Sequence, residues 1–283
     1  MSLLSENRLN KMRFEVDGEA FRADMRDAHS LAIRLEFGGP QPNAFFLEPA
    51  HSEAVEAGDF VGDTRRGGSA NCADVHLNPH GNGTHTECVG HIVDEPVAVG
   101  ELALTPLMPA VVLTVQPVEL SETSESYGGI SADEDLVVTR DALEAAFAQT
   151  EASKSFCSAV IIRTLPNTAD KTQQSYSGTN PTYPTADAVT WLLEIGCEHV
   201  VLDLPSLDRE DDGGTLPNHH RFFGVPAGMT SLDGSEPSQR TVTEMVFVAD
   251  EVDDGRWLLS LQIPRFALDA APSRPILVGV VEV

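Results

Sequence analysis

Positive charge is scarce in this sequence: 18 lysines and arginines stand against 44 aspartates and glutamates in 283 residues, a formal net charge of -26. Such a surface repels phosphate backbones, which excludes nucleic acid as a partner. The acidity itself reads as a solvated exterior and names no substrate. Cysteine is scarce too. Cys72, Cys88, Cys157 and Cys197 stand far apart with no C-x-x-C pair, which excludes a disulfide framework and a zinc ribbon and suits a reducing compartment. Long apolar runs are absent: nothing approaches the roughly 20 residues of a membrane span. The opening "MSLLSENRLNKMRF" lacks the apolar core of a signal peptide. The expectation is a cytoplasmic protein with no membrane partner, its leading Met-Ser-Leu a cloning remnant.

With 41% apolar residues the chain can bury a sizeable core. It shows no internal repeat and no low-complexity linker, so residues 1–283 are expected to form one domain, with roughly the first 30 residues an arm. β-Branched runs at 110–115, 159–165, 199–204, 241–250, 257–263 and 275–283 predict strands. Two amphipathic segments predict helices. One follows Thr139. The other follows Thr185, which caps its start, and ends at Gly196. Strand 159–165, a long loop, this second helix and strand 199–204 have the form of a βαβ unit. The acidic segment 121–135 predicts an exposed loop, and the result is a mixed α/β sheet.

The stretch "LNPHGNGTHTECVGHI", residues 77–92, places His80, His85, Glu87 and His91 around a glycine-rich bend. On a strand His85 and Glu87 project from one face, whereas on a helix they would lie about 200° apart. Gly81, Asn82 and Gly83 supply the bend that lets His80 fold back toward His85. Imidazole nitrogens and a carboxylate converging on one point are what zinc, manganese or iron requires, although the zincin H-E-x-x-H spacing is absent. The bland alternative is a polar loop bonded to backbone. A second observation weighs against it. In "TVTEMVFV" Glu244 sits on a strand with apolar or threonine neighbours on both faces, and a carboxylate there must be protonated, paired with an arginine or bound to a cation. Upstream, "LPNHHRFFG" places His219 and His220 in a loop-like segment.

Taken in order, these motifs resemble the cyclase-like metal-dependent hydrolase family that contains bacterial kynurenine formamidase and isatin hydrolase. That family carries H-x-G-T-H-x-D-x-P-x-H, and this chain has "HGNGTHTECVGH" from His80 to His91; "LDLPSLD" (202–208), "HHRFF" and "TVTEMV" follow like the family's later blocks. The likeness runs from about Phe60 to the C-terminus. It implies a swivelling β/β/α domain of the cyclase type, assembled as a homodimer or homotetramer. It implies one or two divalent ions, zinc or manganese, held by His80, His85, Glu87, His219 and Glu244, with His220 the fallback for His219. His91 stands where the family has its catalytic acid and base. Three departures are evident: an extra residue between His80 and His85, glutamate for aspartate at 87, and Val89 where the family has proline.

The implied activity is hydrolysis of a small amide, formamide or cyclic amide of the arylformamidase kind, which belongs to tryptophan catabolism. Water activated by the metal attacks the carbonyl, and His91 carries the proton to the leaving nitrogen. Two other readings are carried: a family member that binds metal or ligand without turnover, and a cysteine enzyme with Cys88 as nucleophile and His91 or His85 as base. Arg65, in "GDTRRGGSANC", is a candidate for a substrate carboxylate, and Tyr183, in "SGTNPTYPT", for substrate recognition. The "DREDDGG" segment lacks EF-hand periodicity and reads as a solvated turn.

Overall fold

The computed structural model describes residues 12–283, so the leading Met-Ser-Leu lies outside the described residues. Its centre is a ten-stranded mixed sheet. Along the chain its strands are β1 (Arg13–Val16), β2 (Glu19–Ser30), β3 (His85–Glu87), β4 (Met108–Val115), β5 (Ala159–Thr164), β6 (His199–Leu202), β7 (Thr241–Glu244), β8 (Gly255–Gln262), β9 (Ala270–Pro272) and β10 (Arg274–Glu282). Their order across the sheet is β1-β2-β10-β8-β4-β5-β6-β7-β3-β9. The middle four, β4 to β7, run parallel, and the pairs toward either edge are antiparallel. The expected mixed α/β class is therefore what the chain adopts.

Burial explains the runs that predicted these strands. Parallel strands covered on both faces read as continuous apolar sequence, and all six residues of β5 are buried. Their side chains alternate between two cores. Val111, Leu113, Val160, Ile162, Val200 and Leu202 pack under the helices α1 (Arg140–Gln149) and α2 (Ala186–Glu194), against Leu143, Val189 and Leu192. Ala110, Val112, Ile161 and Val201 face the other way, onto Trp257, Leu259, Leu277, Leu31 and Val246. Trimming a wholly buried residue such as Ile162 to alanine costs about 2–5 kcal/mol. Thr185 caps the second helix as expected, accepting from Ala188 N–H at 3.0 Å, and Thr139 proves to be the cap of the first, accepting from Ala142 N–H at 3.1 Å. Gly196, at φ +85°, ends the second.

Four expectations change. The run 241–250 is not one strand, because Met245 takes a left-handed φ of +50° immediately after β7. Residues 13–30 are not a free arm but a β1–β2 hairpin, joined to the sheet through β10; Phe21 anchors it by an edge contact with Phe156, ring centroids 5.1 Å apart. Within the segment 121–135, Tyr127 and Asp135 are wholly buried, although most of it is exposed. His219 and His220 lie not in a loop but on α3 (Pro217–Phe223), which has proline in its first turn and Gly224, at φ +76°, just past its end. Among the described residues no helix is long and apolar enough to cross a membrane.

Candidate metal centre

The site lies near the β9 edge of the sheet, where β3 pairs antiparallel between β7 and β9. Glu244 stands opposite His85 and Val242 opposite Glu87. Alternation puts His85 and Glu87 on one face, and the cross-strand register adds Glu244 to it. On the other face the Thr86 and Thr243 hydroxyls meet at 2.8 Å. His80 arrives from the preceding turn, in which Asn78 Oδ1 accepts from His80 N–H at 3.0 Å and Asn82 Oδ1 accepts from Asn78 N–H at 2.7 Å. Packing is tight at Gly81, where a Cβ would lie 2.4 Å from Leu47 Cδ1 and 3.1 Å from the Ala44 carbonyl oxygen, so a larger residue would displace the Leu47 side chain. His91 closes the short turn Val89–His91, and α3 brings His219 across.

The six residues expected at the metal or as proton carrier, His80, His85, Glu87, His91, His219 and Glu244, are thereby brought together. Glu87 Oε2 lies 3.0 Å from His80 Nδ1 and 3.9 Å from His91 Nε2, and Glu87 Oε1 lies 2.7 Å from His219 Nε2. Glu244 Oε2 lies 3.3 Å from His85 Nε2, and Glu244 Oε1 is 3.8 Å from His219 Nε2 and accepts from Leu207 N–H at 2.9 Å. Among the described residues the charged partners of Glu87 and Glu244 are all histidines, so an arginine partner for Glu244 is not the answer.

The outer nitrogens of two imidazoles are already spoken for. His85 Nδ1 is 3.1 Å from the Gly83 carbonyl and His219 Nδ1 is 2.6 Å from Asp208 Oδ2. Both partners only accept, so each Nδ1 carries the hydrogen and each Nε2 presents its lone pair inward in the neutral ring. His85 Nε2, His219 Nε2 and Glu87 Oε1 are buried without a hydrogen-bond partner. The 2.7 Å approach of His219 to Glu87 is thus short yet off the hydrogen-bond direction. Lone pairs and carboxylate oxygens crowded in this way are the donor set of a divalent cation, and the sets His80, His85, Glu87 and Glu87, His91, His219 each bring three ligand atoms within 4.8 Å of one another.

Electrostatics point the same way. Burial would raise the Glu87 carboxyl, but His91, His219 and His80 hold it well below its usual range. Burial would lower His219, yet Glu87 and Asp208 raise it far above the ordinary imidazole value. His80 is pushed to about 10, burial being outweighed by Asp269 and Glu87. The cluster draws positive charge, and protons and a cation compete for the same place.

Two candidates are not brought to this cluster. Arg65 lies in the exposed turn Thr64–Arg66, paired with Asp63 at 2.9 Å. Tyr183 is wholly buried, its hydroxyl donating to Asp135 at 2.6 Å. His220 bonds instead to the Val225 carbonyl at 3.3 Å. The arginine that does line the cavity of about 310 Å³ over the cluster is Arg209, whose guanidinium is paired with Asp135 at 2.8 Å, with Phe45, Leu47 and Leu216 as the apolar wall. Sequence reading also missed Asp208 and Asp269 as partners of site histidines. The first ends the block "LDLPSLD"; the second, in "FALDAAPSRP", carries no local signal. Cys88 turns away from the cluster, to pack with Val99 and Ala271.

A family model described as "Putative cyclase" matches residues 25–209, well over half of the chain. Among curated proteins no sequence match is found. Solved structures share the fold at low identity. An isatin hydrolase bound to the product analogue thioisatinate superposes with a TM-score of 0.56 at 15% identity, over 91% of this chain and 93% of that one. Isatin hydrolase A from Labrenzia aggregata gives 0.57 at 14%, over 89% and 94%. A predicted metal-dependent hydrolase from Bacillus stearothermophilus gives 0.52 at 15%, over 89% and 97%.

Proposed function

The chain belongs to the cyclase family, and from that membership together with the cluster we propose that it is a metal-dependent hydrolase cleaving the C–N bond of a small amide, formamide or cyclic amide. The observation that carries this reading is the pair of imidazoles, His85 and His219, whose Nδ1 atoms are pinned from outside while their Nε2 atoms face buried carboxylates with no hydrogen bond between. The isatin hydrolases that share the fold support a cyclic amide as one substrate class.

In this reading His80, His85, Glu87, His219 and Glu244 hold one or two ions of zinc or manganese. A divalent ion there supplies an ionisable water near neutral pH and an electrophile for the carbonyl oxygen. His91 moves the proton. Its Nδ1 is held by Asp269 at 3.2 Å, its Nε2 lies on the Glu87 side, and it is 26% exposed and so open to the cavity. His91 Nε2 takes the proton of the attacking water and returns it to the nitrogen as the C–N bond breaks, leaving a carboxylic acid and an amine. Phe45, Leu47 and Leu216 hold the apolar body of the substrate and thin the water around the reacting atoms. An arylformamidase-type role, a cytoplasmic location and a homodimer or homotetramer belong to the same proposal.

The test is metal analysis of the purified protein together with turnover of N-formyl aromatic amides and isatin-like lactams. The expected result is bound metal with hydrolysis of at least one class, abolished by chelation. Bound metal with no hydrolysis across the panel would make the chain a binding protein instead.

A further inference from the structure

We propose that Asp269 is a positioning residue that sets the tautomers of two imidazoles at once, His80 and His91, and thereby decides which nitrogen of each faces the cluster. This rests on the hydrolase reading above and adds to it a residue that no motif contains.

Asp269 Oδ2 lies 2.8 Å from His80 Nε2 and 3.2 Å from His91 Nδ1, both in hydrogen-bonding geometry. An ionised carboxylate oxygen can only accept, so both nitrogens carry hydrogen. In the neutral rings this leaves lone pairs on His80 Nδ1 and His91 Nε2, the two atoms that lie 3.0 and 3.9 Å from Glu87 Oε2. The rings stack with centroids 4.3 Å apart and planes 28° apart, so neither turns without displacing the other. Held in this way, His80 offers the cluster its Nδ1 whereas His85 and His219 offer Nε2, and His91 keeps a free base at Nε2.

The backbone that carries this carboxylate is fixed by the sheet. The Asp269 carbonyl accepts from Cys88 N–H at 3.0 Å, and its neighbour Ala270 pairs with Glu87 across β9 and β3. The turn carrying His91 comes close enough because residue 90 is glycine: a Cβ there would stand 2.1 Å from the Val97 carbonyl oxygen and 3.4 Å from Asp269 Cβ. The same three side chains could also be read as a separate metal site, since their ligand atoms lie within 4.8 Å of one another. The hydrogen-bond geometry of both contacts favours positioning, because the His219–Glu87 contact, where a cation is inferred, lacks it.

The experiment uses zinc-loaded full-length protein, as wild type and as Asp269→Asn, Asp269→Glu, His91→Ala and the Asp269→Asn/His91→Ala double variant. Imidazole ¹⁵N spectra of the wild type should show His91 with hydrogen on Nδ1 and His80 with hydrogen on Nε2, a readout that needs no variant to fold. A carboxamide offers one acceptor and one donor face, so Asp269→Asn should scramble the His91 tautomer. It should lower kcat about 10- to 100-fold with KM nearly unchanged, and weaken zinc binding, measured by chelator competition, by a similar factor while keeping the stoichiometry. Asp269→Glu should recover part of the loss. At saturating zinc the double variant should lose much less rate relative to His91→Ala than Asp269→Asn loses relative to wild type, because the effect of Asp269 on rate runs chiefly through His91. Wild-type tautomers opposite to those assigned, an Asp269→Asn variant equal to wild type in rate and zinc affinity, or loss of a whole equivalent of zinc would each overturn the inference while leaving the hydrolase reading standing. Wild-type protein that takes up neither zinc nor manganese overturns both. Protein that binds zinc, with the assigned tautomers, but hydrolyses nothing overturns the hydrolase reading alone.

Discussion

Replacing Glu244 by glutamine changes one charge and almost no volume at the point where β7 meets β3. In the folded protein this carboxylate is 3% exposed, takes the Leu207 N–H at 2.9 Å on Oε1 and faces the His85 lone pair at 3.3 Å with Oε2. The amide keeps the first contact through its oxygen and turns a donor toward His85, so the metal-free fold should lose about 1 kcal/mol or less. Metal binding should change far more. Loss of an outer hydrogen-bond partner typically weakens a metal site 10- to 100-fold, so loss of a charged ligand is set at about 100-fold or more. At a metal concentration 100 times the wild-type dissociation constant, binding stabilises the native state by about 2.7 kcal/mol, a rise in Tm of roughly 5 °C for a chain of this size. A 100-fold weaker site at the same concentration gains only about 0.4 kcal/mol, a rise of roughly 1 °C. Thermal unfolding of chelator-stripped and reloaded protein, with elemental analysis of both variants, measures this directly. Full metal content and a full thermal shift in Glu244→Gln would refute the metal-holding role proposed for Glu244.

His91→Ala should keep the metal and lower kcat by about 10²- to 10⁴-fold; metal lost in parallel would make His91 a ligand. Burial, with Asp269 and Glu87 nearby, pushes the Cys88 thiol to about 11. It is protonated at neutral pH, and Cys88→Ser should keep its rate within about twofold, whereas inactivation would revive the cysteine mechanism. The Asp135 carboxyl falls from 3.8 to about 2 because burial, which would raise it, is outweighed by Arg209, Tyr183, the Ala132 N–H and Asn180. With the folded value below the unfolded one, its contribution is complete above about pH 4 and is lost as pH falls toward 2. Denaturant unfolding across that range should therefore show a flatter acid limb in Asp135→Asn than in wild type.

What the sequence makes legible is what physics writes locally. The central strands announce themselves because strands covered on both faces must be apolar at every position, as in Ala159–Thr164. The helix caps are legible because Thr139 and Thr185 each satisfy an orphan N–H a few residues away. The β2 strand, "EAFRADMRDAHS", is hidden because only Phe21 and Ala23 are buried in it and its second half is charged and largely exposed; exposure leaves no apolar alternation to read. Helix α3 is only seven residues long, too short for a helical period to register. His85 and Glu87 could be paired from sequence because two residues on a strand share a face, and His80 and His91 from nearness in the chain. Asp269 reaches His91 from 178 residues away through the β9–β3 pairing, and an isolated aspartate carries no trace of that. Arg65 and Arg209 could not be ranked for the cavity, since only the tertiary fold distinguishes an exposed turn from the cavity wall.

Two departures from the family pattern, the extra residue before His85 and glutamate at 87, meet in one contact. His80 Nδ1 lies 3.0 Å from Glu87 Oε2 while the other Glu87 oxygen lies 2.7 Å from His219. An aspartate at 87 would draw its carboxylate back by about one carbon–carbon bond, ~1.5 Å, and on the same backbone would forfeit both approaches. The longer side chain therefore spans imidazoles that a shorter one would leave apart. The resulting order is a chain of alternating groups, His80–Glu87–His219–Glu244–His85. Its outer nitrogens are tied to Asp269, Asp208 and the Gly83 carbonyl. In such a chain each carboxylate serves two imidazoles, so its middle members carry the connection. Removing His80 leaves the remaining four groups contiguous, whereas removing Glu87 separates His80 from His219. The loop with the extra residue thus delivers His80 to Glu87 Oε2, and the length of the glutamate keeps His80 linked to His219.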